Sequence, residues 1–169
     1  MTASDASSRG AATPGELFVV VACHSLVCAV ATRWIARLLL IDEVDASEAD
    51  VVSLGGRRYA AWDLGQMLDL PPLGHAWVLL NVPHGDAEVP IALRTGPCLT
   101  VQPLASFTAL PEGLFRARRG MLPAAFPASE VKGQTGALFG LCVDPPRAWT
   151  STELEGCVRS ISPGKVPPP

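Results

Sequence analysis

Two adjacent glycines, Gly55 and Gly56, separate the short apolar runs VVSL and YAAW. A glycine pair supplies the positive φ that tight two-residue hairpin turns require, so the two runs read as paired strands. The same pattern recurs. LFVVVA and SLVCAVA meet at a turn near His24 and Ser25, AWVLLNV and EVPIAL flank PHGD, and ASEVKG and GALFGLCVD are joined by GQTG. CLTVQPL adds a further strand. Turn signals at intervals of about 8–12 residues mark a small all-β barrel or sandwich.

The remaining segments are short. TRWIARLLL, with the Ile41 that follows it, places Trp34, Leu38 and Ile41 at helical spacing, so it reads as a short helix or an irregular crossover. EVDASEAD reads as an acidic loop, and LGQMLDL as one or two helical turns halted at Pro71. Asp63 and Asp144 each close a strand before a helix or turn, where an Asp caps backbone N–H groups. There is an internal echo: GGRRYAAWDL and TGALFGLCVD are each a turn, a strand and a terminal Asp, which points to two related β lobes. Residues 1–15 form a small-residue polar tail, 16–152 the folded region, and 153–169 a Pro-rich tail.

Composition narrows the function classes. In 169 residues, 49% are hydrophobic and 17% charged, which suits a folded domain. The net charge is −3, so a nucleic-acid surface, which needs clustered Lys and Arg, is not expected. Arg116, Arg118 and Arg119 form the only dense basic cluster and read as a solvated loop or an edge for an acidic partner. The run from Leu17 to Ala31 ends in Ala-Val-Ala. Its lead carries Asp5 and Glu16 against Arg9, and Arg33 and Arg37 follow closely, so neither export nor a membrane span is expected. A cytoplasmic location follows as an expectation.

Five scattered cysteines without a C-x-x-C pair give neither a disulfide framework nor a zinc site, and buried thiols are expected. Cys23 and His24 would point to opposite faces of a strand. No phosphate loop and no G-x-S-x-G elbow occurs. An enzyme would need His24, His75 or His84 to converge with an acid and a nucleophile. The expectation is no enzyme, no cofactor and no metal.

Four blocks, taken in order, resemble the CheW-like adaptor domain of bacterial chemosensory systems. They are FVVVACHSLVCAVATRWIARLLLIDEV, VVSLGGRRYAAWDLGQMLDLPP, AWVLLNVPHGDAEVPIALRTGPCLTV and GALFGLCVDPPRAW. In the second block Asp63-Leu64, Leu68, Leu70 and Pro71 fall in register with the family pattern. The resemblance implies a mainly β fold of two small five-stranded barrel lobes sharing a hydrophobic core, with short helices and no catalysis. It implies a scaffold that couples chemoreceptor cytoplasmic tips to the regulatory domain of a CheA-type histidine kinase, or that meets another CheW-like protein, in membrane-associated clusters and without inserting into the membrane. Two departures stand out. Gly55 occupies the place of the family's turn Arg, and Leu93-Arg94 replaces its Val-Asp. By register, the contact residues would be Leu54, Gly55, Gly56, Arg57, Arg58 and Arg94. A different class of function, a small-molecule-sensing module, would use the groove between the lobes.

Overall fold

The structure, a computed structural model, describes residues 15–43, 45–74, 76–111, 120–133 and 136–163. The first hairpin, β1 (Leu17–Cys23) and β2 (Leu26–Ala31), turns at His24 and Ser25, with His24 at φ 55°. A single 3-10 turn at Thr32–Trp34 leads into β3 (Ile35–Leu40). Then follow β4 (Asp45–Glu48), β5 (Val51–Leu54), β6 (Arg57–Asp63), α1 (Leu64–Met67), β7 (Ala76–His84), β8 (Ala87–Thr95) and β9 (Cys98–Pro103). The chain closes with β10 (Thr108–Ala109), β11 (Ala124–Pro127), β12 (Phe139–Val143), α2 (Pro145–Ala148) and α3 (Ser151–Ile161).

These strands form two six-stranded sheets, in the orders β10-β11-β12-β2-β1-β9 and β4-β5-β6-β8-β7-β3. The mainly β, two-lobe expectation holds, with six strands per sheet rather than five. The added strands are marginal: β10 has two residues, and β4 has a register shift within four.

The sheets are topological copies. In each, the third and fourth strands are parallel (β12 with β2, β6 with β8) and every other pairing is antiparallel. Matching positions makes β9 to β12, then β1 and β2, equivalent to β3 through β8. The second sheet is therefore one continuous stretch of chain, whereas the first is completed by both ends. The internal echo in the sequence marks β6 with α1 and β12 with α2, which occupy equivalent places.

Alternation explains the shared core. Val19, Val21 and Cys23 of β1 meet Val78, Leu80 and Val82 of β7 in one cluster. The opposite faces fill separate small cores: Phe18, Val20 and Phe126 in the first lobe, and Val52, Tyr59, Trp77 and Leu79 in the second. Strands buried on both faces read as unbroken apolar runs, which is what the sequence displays.

Four local expectations are corrected. The segment IARLLL is a strand with a bulge between Ile35 and Arg37, because pairing with β7 outweighs its helical spacing. Residues 45–48 of the acidic stretch pair with β5 as an edge strand. The partner of β12 is Ala124–Pro127, whereas Ala128–Glu130 forms a 3-10 turn. Residues 151–161 form α3, whereas 153–161 were expected in the C-terminal tail. Thr150 accepts from the Glu153 N–H while Glu153 accepts from the Thr150 N–H, and Leu154 and Cys157 are buried against the shared core. No described helix is long and apolar enough to cross a membrane.

Candidate interaction surface

The Gly55-Gly56 turn is the hairpin the sequence indicates, with φ of 57° and 80° at the two glycines. The two arginines beyond it are engaged locally. Arg57 donates to Oδ1 of Asn81 at 3.2 Å and lies 5.3 Å over the Tyr59 ring. Arg58 pairs with Glu48 at 2.7 Å and also donates to the Ser160 carbonyl of α3. Arg94 lies elsewhere. It pairs in register with Asp63, at the far end of β6 from Arg57, so the predicted contact residues do not form one patch. Six residues of strand separate them, roughly 20 Å.

Arg94 and Trp77 are direct cross-strand partners on β8 and β7, and the guanidinium carbon sits 4.7 Å from the ring centroid. Arg94 lines a cavity of about 590 Å³ between β6, β8 and the inner side of α3. Trp62 forms part of its wall, fixed by a hydrogen bond from its Nε1 to the Cys157 sulfur at 3.3 Å and by an edge contact with Trp149.

A second cavity, of about 390 Å³, opens between the lobes. Leu38, Leu39 and Leu40 of β3 form one wall, Val21 of β1 and Cys98 of β9 the other, and Trp77 lines this cavity as well as the first. The strands beside it, β3 and β9, are the topologically equivalent edges of the two sheets. Their exposed side chains include Leu38, Leu40 (63% exposed), Leu99 and Val101 (50% exposed), with Leu17 nearby on β1. An edge that is unpaired among the described residues and carries several exposed apolar side chains invites pairing with another chain, although Arg37 on β3 and Pro103 on β9 limit it. Residue types alone do not disclose this surface, because the spacing of Trp34, Leu38 and Ile41 indicates a helix or crossover where β3 pairs with β7.

The two Asp residues differ. Asp63 caps α1 by accepting from the Gln66 N–H at 3.0 Å, and its other oxygen accepts from the buried Leu73 N–H at 2.9 Å. Asp144 makes no such cap. It faces Arg147 at 3.5 Å, and burial pushes its carboxyl up from the usual range despite that cation.

Catalytic chemistry finds little support among the described residues. Cys23, Cys28 and Cys157 are buried as expected and Cys142 is half-buried, but Cys98 is exposed. The hydrogen bond to Cys23 and full burial hold the Cys28 thiol protonated, and burial pushes Cys142 up to about 12. Those two thiols are poor nucleophiles, whereas the same hydrogen bond lowers the pKa of the Cys23 thiol, which is buried. His24 is exposed, with Nε2 2.7 Å from the Pro71 carbonyl oxygen. His75 and Arg116, Arg118 and Arg119 lie outside the described residues.

No protein-family model matches the sequence, and no curated protein matches it significantly. Among solved structures, the chain is similar to the scaffolding protein TtCheW from Thermoanaerobacter tengcongensis. The TM-score is 0.55 and the identity 10%, over 77% of this chain and 89% of that one. The chain therefore has the fold of the CheW scaffolding protein, carried by a sequence far diverged from it.

Proposed function

We propose that this protein is a non-enzymatic adaptor that couples a chemoreceptor tip and a CheA-type histidine kinase regulatory domain, or joins another CheW-like protein, in cytoplasmic signalling clusters. The observation that carries this reading is the pair of equivalent apolar edges, β3 and β9, with the inter-lobe cavity between them. The partner they suit is a β edge with its own apolar side chains, because main-chain pairing supplies affinity and alternate side chains fill the cavity. The scaffold fold supports the same reading. Gly55 and Arg94 depart from the family pattern at two positions, so selectivity between partners rests on the edges rather than on the Leu54–Arg58 turn.

The test is co-purification of the protein with the regulatory domain of its cognate kinase, and separately with the receptor tip. Retention of either supports the adaptor role. Failure of both, with both partners folded, ends it.

A further inference from the structure

The adaptor reading based on the β3 and β9 edges makes no use of the cavity beneath α3, yet it is constructed like a binding site. Its volume, about 590 Å³, lies within the range that houses small ligands. Small residues are part of its lining, Ala60 and Ala61 on the β6 side and Gly156 on the α3 side, and Trp62 supplies a flat wall. Arg94 supplies charge. It is half-buried, it has no salt bridge among the described residues, and its Nε is sealed from water without an acceptor. The terminal nitrogens of its guanidinium carry the remaining donors.

The carboxylates around the cavity do not neutralise this cation. Asp63 is Arg94's register partner, but it directs both oxygens to backbone N–H groups. Glu153 is held in the capping box of α3. Asp50 is exposed. A partly desolvated guanidinium stacked on an indole, with no carboxylate paired to it among the described residues, gains from an incoming acceptor that reaches it in the plane of its fork. We propose that this cavity binds a small planar organic monocarboxylate, with the carboxylate on Arg94 and the flat body against Trp62. A single negative charge is required, since a phosphate dianion would meet one cation and the neighbouring Asp50, Asp63 and Glu153.

The test is calorimetric titration of the full chain with 2-naphthoate, with the neutral 2-naphthalenemethanol and with 2-naphthyl phosphate. The expected result is one saturable site for the carboxylate, with the alcohol and the phosphate each at least about tenfold weaker, a difference of about 1.4 kcal/mol. Arg94→Met keeps the aliphatic stem and loses the charge, and should weaken the carboxylate to the level of the alcohol. Gly156→Leu places bulk in the cavity from the helix side, leaves Arg94 intact, and should block binding of all three. Should Arg94→Met fail to fold, Gly156→Leu decides the location. No saturable heat from 2-naphthoate at millimolar concentration overturns the proposal. So do equal affinities for the carboxylate and the alcohol, and so does binding that survives Gly156→Leu.

Discussion

The imidazole of His24 reaches across the two lobes. Its Nε2 lies 2.7 Å from the carbonyl oxygen of Pro71, which joins the tip of the β1–β2 hairpin to the segment that follows α1. The backbone at His24 is left-handed, with φ 55°. His24→Ala removes the bond and keeps the strained conformation, so it should lose about 1 kcal/mol. His24→Gly removes the same bond but relieves the strain, and should lie closer to wild type. Urea midpoints at constant m-value distinguish the two. Equal losses from both variants would mean that the left-handed backbone costs nothing here.

Asp63 holds two orphan N–H groups with one carboxylate, and the Leu73 N–H is buried. Asp63→Ala should destabilise by about 2–3 kcal/mol, the loss of a cap together with a charge-assisted bond to a buried donor. Asp63→Asn should recover only part of it, because an amide offers one acceptor where the carboxylate offers two. Thermal and denaturant unfolding of both variants checks the order.

Leu154 anchors α3 to the shared core. Leu154→Ala should cost about 2–4 kcal/mol, and Thr150→Ala, which removes the cap, about 1 kcal/mol. Hydrogen exchange of the α3 amides is the more specific readout. Protection should fall over residues 151–161 in both variants while the β7–β8 hairpin keeps its protection.

The hairpins were legible because their turns carry their own chemistry: adjacent glycines at 55 and 56, and Gly85 in the β7–β8 turn. Asp63 was legible as a cap for the same local reason. The β3 edge was not, because Trp34, Leu38 and Ile41 mimic a helical face, and only pairing with β7 decides the matter. The α3 helix carried a readable signal, Thr150 and Glu153 ahead of Leu154 and Cys157, but the prolines around it suggested a tail. Asp144 follows a strand as Asp63 does. In its helix, which begins with Pro145 and Pro146, the Arg147 N–H, the counterpart of the Gln66 N–H, bonds the Asp144 backbone carbonyl, and the Asp144 side chain turns to the Arg147 guanidinium instead. The clustering of Trp62, Trp77 and Arg94 was beyond reach, since it depends on β6 and β8 pairing in parallel and on the placement of α3.

Asp144 sets a pH dependence with a definite sign. Burial raises its folded-state carboxyl above the ordinary 3.8, so the folded state holds the proton more tightly than the unfolded chain does. Its contribution to stability falls as pH rises from that value through the raised one, and is flat above. Asp144→Asn removes the cost of a partly buried charge. The variant should be at least as stable as wild type at neutral pH, and the difference should shrink as pH falls toward 3.8. Paired denaturant titrations from neutral to acid pH read this directly. A wild-type advantage that grows with pH would instead assign the larger effect to the Arg147 ion pair.

The most direct test of the adaptor role is the affinity of the kinase regulatory domain for wild type and for Leu40→Glu. Leu40 is 63% exposed, so the fold should tolerate the change, and thermal unfolding confirms that. Micromolar binding by wild type, weakened at least about tenfold (1.4 kcal/mol) by Leu40→Glu, is the predicted result. Binding that the substitution leaves unchanged would contradict the edge-docking surface.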